Sequence, residues 1–311
     1  MPLDPQIEAM LAGQPEWPPV GSIPLEALRE GVRSSSTLLP PPPVSLASVS
    51  DRTLPGPAGE IPVRVYTPEG TGPFPVIAYF HGGGFVVGDL DTQDMIARGL
   101  AAGAESIVVS VDYRLAPEHK FPAPFEDCWA VTQWVGAHGA ELGGDPARLA
   151  VAGDSAGGVL ASACALLARE AGSPKLSAVI NWYGPGVHPI PEEGSAVEFA
   201  DGPILRMEDA HFFSEMLIRD ARDLEDFRLS PMKAQSHEGL PPTFIAAAEC
   251  DPIRDAVEAY APVLRAAGVE VEAKRYPGMV HGFVSWLAFL PGAQDAMADA
   301  CAFAARHLKA A

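Results

Sequence analysis

Ser155 stands in Gly153-Asp154-Ser155-Ala156-Gly157-Gly158, a Gly-x-Ser-x-Gly string of the kind that presents a nucleophilic hydroxyl on a tight turn. Far upstream, His81-Gly82-Gly83-Gly84-Phe85 places three glycines in a row, so backbone N–H groups face a ligand with no Cβ in the way. These are the two parts an acyl transfer needs: a hydroxyl to attack a carbonyl, and amide donors to hold the resulting oxyanion. Gly82, Gly83 and Ala156 are the expected donors. His81 is expected to anchor its loop by hydrogen bonding, not to move protons.

A serine hydroxyl needs a base to take its proton and a carboxylate to hold that base in one tautomer. This strand–turn–helix serine resembles that of the α/β-hydrolases, in whose order acid and then histidine follow the nucleophile, each after a late strand. Asp251 comes just after the apolar run Phe244–Ala248, and His281 just after Val269–Tyr276. The expected catalytic residues are therefore Ser155, Asp251 and His281. Glu249 and Asp255 are the alternative acids, two residues early and one helical turn late. His119 and His138 precede the nucleophile, His188, His211 and His237 lie in or near an irregular region, and His307 sits in a terminal helix.

Other chemistries lack their residues. No Lys-Ser or Lys-Thr follows the glycine loop and no Gly-x-Gly-x-x-Gly opens a βαβ unit, which argues against phosphate binding. Histidines and acids show no ligand spacing, and no metal or organic cofactor is expected.

The elements that must carry these residues are short apolar runs alternating with amphipathic stretches. Strands are expected at Ile61–Thr67, Val76–Phe80, Ser106–Asp112, Arg148–Gly153, Ala178–Trp182, Thr243–Ala248 and Val269–Tyr276, with a weaker one near Ser48–Leu54. Helical patterns lie at Asp91–Ala102, Phe125–Gly139, Ser155–Glu170, Arg254–Ala267 and Ala293–Leu308. Continuous apolar strands alternating with helices predict an α/β fold with a mostly parallel sheet covered on both faces. Two regions break the rhythm. Residues 1–45 hold two short helical patterns and the run Pro40-Pro41-Pro42-Pro43, expected to be a stiff linker. Residues 185–228 are rich in Gly, Pro and acids, with one helical stretch from Met207 to Arg219. Both are expected to form a cap on a core made of 46–184 and 229–311.

The 311 residues carry a net charge of −19, which argues against nucleic acid, because phosphate contacts rest on Lys and Arg clusters. Nothing approaches the ~18 apolar residues of a membrane span. Met1-Pro2-Leu3-Asp4-Pro5 lacks the basic and apolar regions of a secretory signal. Four scattered cysteines suit a reduced, cytoplasmic protein.

Together these residues resemble the hormone-sensitive-lipase-like family of α/β-hydrolases, the microbial family IV carboxylesterases. The likeness runs from about Asp51 to the C-terminus. It rests on the His81 and Ser155 motifs, on Asp112-Tyr113-Arg114-Leu115-Ala116-Pro117-Glu118-His119-Lys120-Phe121-Pro122, on Asp251-Pro252-Ile253-Arg254-Asp255 and on His281-Gly282-Phe283. It implies an eight-stranded sheet, hydrolysis of short- to medium-chain acyl esters, and no cofactor. Gln93 stands where the family usually has His, Val159 where Asn is common, and Ala256 where an acid often follows. Phe85, Tyr183, Phe212, Phe213 and Phe283 are expected to line the pocket, with ordinary core packing the alternative for each. An amidase, a lipase and a non-catalytic ligand-binding relative remain the other functions these motifs allow. The expected partner is a small-molecule ester, with no nucleic acid, no stable membrane association, and room for the homodimer common among relatives.

Overall fold

The apolar runs pair into one eight-stranded sheet: β1 (Leu46–Gly56), β2 (Gly59–Pro68), β3 (Phe74–Phe80), β4 (Ile107–Val111), β5 (Gly144–Asp154), β6 (Ala178–Trp182), β7 (Thr243–Cys250) and β8 (Val271–Val280). Their order across the sheet is β1-β2-β4-β3-β5-β6-β7-β8. Only β2 opposes its neighbours, β1 and β4; the other pairs run parallel. The computed structural model describes residues 2–13, 18–37 and 44–309, and the proline run at 40–43 lies outside them.

The central strands are mostly apolar because both their faces are covered. Every residue of β4 and β6 is buried, as is Val76–Phe80 of β3. The edge strands are instead more exposed, β1 along most of its length and β8 over Glu272–Arg275.

Before the sheet come α1 (Pro5–Leu11) and α2 (Leu25–Thr37). Between the strands lie α3 (Asp94–Gly103), α4 (Ala123–His138) and α5 (Ala156–Ala171). The late irregular region supplies α6 (Ser195–Glu198) and α7 (Met207–Leu217), followed by α8 (Arg254–Glu258), α9 (Tyr260–Ala266) and α10 (Pro291–His307). α3 packs with α10, and α4 with α5. No helix among the described residues is long and apolar enough to cross a membrane.

One expected element differs. The single helix at Arg254–Ala267 is broken into α8 and α9. Pro262 has no N–H to give the carbonyl of Glu258, and its ring crowds that same carbonyl. α8 accordingly ends at Glu258.

The two irregular regions meet. Val20 N–H donates to Asp209 Oδ1 of α7 at 3.0 Å. Arg29 of α2 donates through Nε to the carbonyl of Val86 and pairs with both oxygens of Glu118 at 2.8 Å. The N-terminal segment is thereby tied both to α7 and to the end of the glycine loop.

Candidate active site

Ser155 ends β5 and opens α5 with φ 52° and ψ −120°, a backbone conformation that a side chain rarely adopts. Sterics explain the glycines on either side. A Cβ on Gly153 would lie 2.1 Å from the carbonyl oxygen of Gly157, and one on Gly157 only 1.9 Å from that of Phe80. The turn closes only if both positions are bare. Ser155 N–H is held by the carbonyl of Trp182 at 2.8 Å, which fixes the elbow against β6.

The three expected catalytic side chains converge from three strand ends. Ser155 Oγ donates to His281 Nε2 at 2.8 Å, and His281 Nδ1 donates to Asp251 Oδ2 at 2.8 Å. Asp251 is fully buried, and its other oxygen accepts from Ile253 N–H at 3.0 Å. This partnering sets the tautomer: Nδ1 carries the proton and Nε2 is free to take another. The alternative acids are engaged elsewhere. Glu249 accepts from Gly278 N–H, while Asp255 accepts from Ser195 N–H and pairs with Arg254.

The glycine loop corrects one expectation. Gly82 N–H is not free: it donates to Asp154 Oδ1 at 2.9 Å. Asp154 follows Gly153 at the end of β5, so its carboxylate reaches back across the sheet to fasten this loop. Tyr79 O–H donates to the same oxygen at 2.6 Å. Among the described residues, no acceptor is recorded for the amides of Gly83, Gly84 and Ala156, and all three residues border the cavity beside Ser155. The free donors are thus shifted one residue along the loop. Gly83 has φ +115° and Gly84 φ +59°, which lets successive amides turn to one side. Burial pushes the Asp154 carboxyl up to about 6, against the pull of Tyr79 and Gly82.

His81 supports the loop from below. Its ring is buried, stacks on Tyr113 at 4.2 Å, and is linked through Nδ1 to the carbonyl of Gly82. Burial lowers its pKa to about 4, so it stays neutral at pH 7.

The cavity at Ser155 has a volume of about 270 Å³, near the lower end of the ~300–1,000 Å³ typical of small-molecule sites. Phe85 and Phe213 are on its wall. Tyr183, Phe212 and Phe283 are not, for identifiable reasons. Tyr183 lies beneath the imidazole, with its ring 5.1 Å from that of His281, and Phe283 packs behind Tyr183 at 5.6 Å. Phe212 adjoins Phe213 on α7, and consecutive helical residues point about 100° apart, so only one can face inward. Phe212 packs on Gly21 instead, whose added Cβ would meet its ring at 3.0 Å.

Several wall residues carried no catalytic signal. Leu205, Leu217 and Leu229 come from or border the irregular insertion, whose pattern does not reveal a facing direction. His188, grouped above with the non-catalytic histidines, is on the wall with Nε2 linked to Ser214 Oγ at 2.7 Å. Burial first, then nearby Lys233 and His211, lowers its pKa to about 4. Val159 and Gln93, both departures from the family pattern, also border the cavity.

Comparison with known proteins places the chain among hydrolases. A family profile described as the alpha/beta hydrolase fold matches residues 77–285. Carboxylesterase NlhH of Mycobacterium tuberculosis is 45% identical over 256 residues, covering 81% of this chain and 80% of that protein. Esterase LipI of the same species is 44% identical over 279 residues, covering 88% and 85%. Among solved structures, a thermostable esterase from Pseudomonas putida superposes with a TM-score of 0.94 at 33% identity, covering 100% and 99% of the two chains. A hyperthermophilic esterase from Pyrobaculum calidifontis gives 0.91 at 36% identity, covering 98% and 99%. The chain belongs to the α/β-hydrolase family, in its hormone-sensitive-lipase-like branch.

Proposed function

We propose that this protein is a serine carboxylesterase that cleaves short- to medium-chain acyl esters through an acyl-enzyme. The observation that carries the proposal is the unbroken relay Ser155–His281–Asp251, with both links at 2.8 Å, beside three amides that have no acceptor among the described residues. Esterase relatives at 44–45% identity support it.

His281 Nε2 takes the hydroxyl proton as Ser155 Oγ attacks the ester carbonyl. The amides of Gly83, Gly84 and Ala156 hold the oxyanion, each worth about 3 kcal/mol of transition-state stabilisation. Asp251 remains ionised and stabilises the imidazolium. His281 then gives its proton to the departing alcohol oxygen, and water attacks the acyl-serine by the same route. The N-terminal helices and residues 185–228 act as the cap that shields this chemistry from bulk water.

The test is an ester series from acetate to palmitate with an amide control, together with a fluorophosphonate label. The expected result is hydrolysis strongest for short to medium chains, labelling at Ser155, and loss of nearly all turnover in a folded Ser155→Ala protein. Retained turnover in that variant refutes the nucleophile.

A further inference from the structure

The cavity at Ser155 does not end at His281. A second cavity, of about 640 Å³, shares with it Gln93, His281, Gly282 and Ser285. Ser155 and the free amides of Gly83, Gly84 and Ala156 border only the first. In the proposed esterase, the acyl carbon is bonded to Ser155 and its oxygen is held by those amides, so the acyl group occupies the first cavity. The alcohol oxygen receives its proton from His281, which borders both, so the alcohol lies toward the second.

That second wall is mixed, with Ser35, Ser36 and Thr92 set among apolar side chains such as Ile96 and Trp286, and it carries no surplus positive charge. Its cations are Arg64 and Arg98. Arg64 pairs with Asp51 and Asp91, and Arg98 with Asp94. An anionic alcohol would find no unpaired cation among the described wall residues, whereas a small neutral hydroxylated one meets both apolar surface for its carbons and polar groups for its hydroxyl. At the junction, Gln93 precedes α3 without a side-chain cap bond to it, and its Oε1 is buried with no hydrogen-bond partner among the described residues. Two other polar groups of the site are engaged: His188 with Ser214, and Asp154 with Tyr79 and Gly82. A buried amide oxygen left unpaired costs free energy that a ligand donor recovers. No hydrogen bond among the described residues restrains the Gln93 amide, and its terminal torsion is soft, which leaves the oxygen able to turn toward the junction.

We propose that Gln93 determines specificity for the leaving alcohol: its amide oxygen accepts a hydrogen bond from a hydroxyl on that alcohol, and the protein prefers short-acyl monoesters of diols and polyols over those of simple alkanols. The proposal rests on the esterase function above. The experiment compares 2-hydroxyethyl butyrate with propyl butyrate, which differ by a hydroxyl in place of a methyl. Rates are normalised to the alkaline hydrolysis of each ester.

The expected normalised kcat/KM ratio is about tenfold in favour of the hydroxylated ester, the value of one good hydrogen bond. Gln93→Leu lowers that ratio to within about twofold, while Gln93→Glu, which keeps an acceptor, retains most of it. A wild-type ratio below two, or an unchanged ratio in Gln93→Leu, overturns the proposal. If Gln93→Leu does not fold, the wild-type ratio and Gln93→Glu decide. The two levels fail separately. Hydrolysis of both esters at equal normalised rates, with Ser155 labelled, removes only the role of Gln93; no hydrolysis and no label removes the esterase with it.

Discussion

Replacing Asp154 by Asn separates the charge of this side chain from its acceptor role. Asp154 is buried and its carboxyl is pushed up to about 6 from 3.8, chiefly because burial disfavours the charged form. A raised carboxyl pKa means the native state binds the proton more tightly than the unfolded chain does. The associated stability is full below pH ~4 and lost as pH rises through ~6. A shift of about two pH units corresponds to about 3 kcal/mol. Asn cannot ionise, yet its Oδ1 still accepts from Tyr79 and Gly82. The difference in stability between Asp154→Asn and wild type should therefore move by about 3 kcal/mol in favour of the variant between pH 4 and pH 8. For a chain of this length the unfolding entropy is about 0.65 kcal/mol/K, so the Tm difference should shift by about 5 °C. Thermal melts of both proteins at pH 4.5, 6 and 8, at one scan rate, measure it. A Tm difference that stays flat with pH refutes the claim that a buried carboxylate is ionised here at a cost. Asp154→Leu removes the acceptor as well; by releasing the Gly82 amide it should lower kcat by about 10²-fold, approaching the loss of one oxyanion donor.

Further outcomes follow from the same geometry. Asp251→Asn should keep the fold but lower kcat by about 10⁴-fold in steady-state ester hydrolysis, because Asn favours the wrong imidazole tautomer; a loss under tenfold speaks against the relay. Gly84→Ala should lower kcat/KM by at least about tenfold, since the new Cβ would lie 2.4 Å from the ring of Phe213 and the position has φ +59°. Phe213→Ala should shift the acyl optimum to longer chains in the acetate-to-palmitate series, and an unchanged profile argues against a wall role. Ser214→Ala leaves His188 Nε2 without its 2.7 Å partner and should cost about 1–3 kcal/mol, read as a lower Tm.

Much of this protein is local in the chain and hence legible before folding. Stretches buried on both faces must be mostly apolar, so the inner parts of β3 to β7 stand out as runs, and β3, β4, β5 and β7 each end where a motif begins. The glycines around Ser155 announce a turn that tolerates no Cβ. Asp251 and His281 each follow a strand, the one position from which side chains distant in sequence can reach a common point above a parallel sheet. Tertiary structure decided what depends on direction and competition. Whether Gly82 or Gly84 offers a free amide depends on Asp154, a residue seventy-two positions away that takes one of them. Which of Phe212 and Phe213 faces the cavity depends on the rotation of α7, fixed by its contact with Gly21. Tyr183 sits under the imidazole, not beside the substrate, and Gln93 lacks a partner, because of the residues that fold around them. Periodicity and spacing record what each segment must bury and where it must turn; they carry no term for which of two neighbouring groups another part of the chain will reach first.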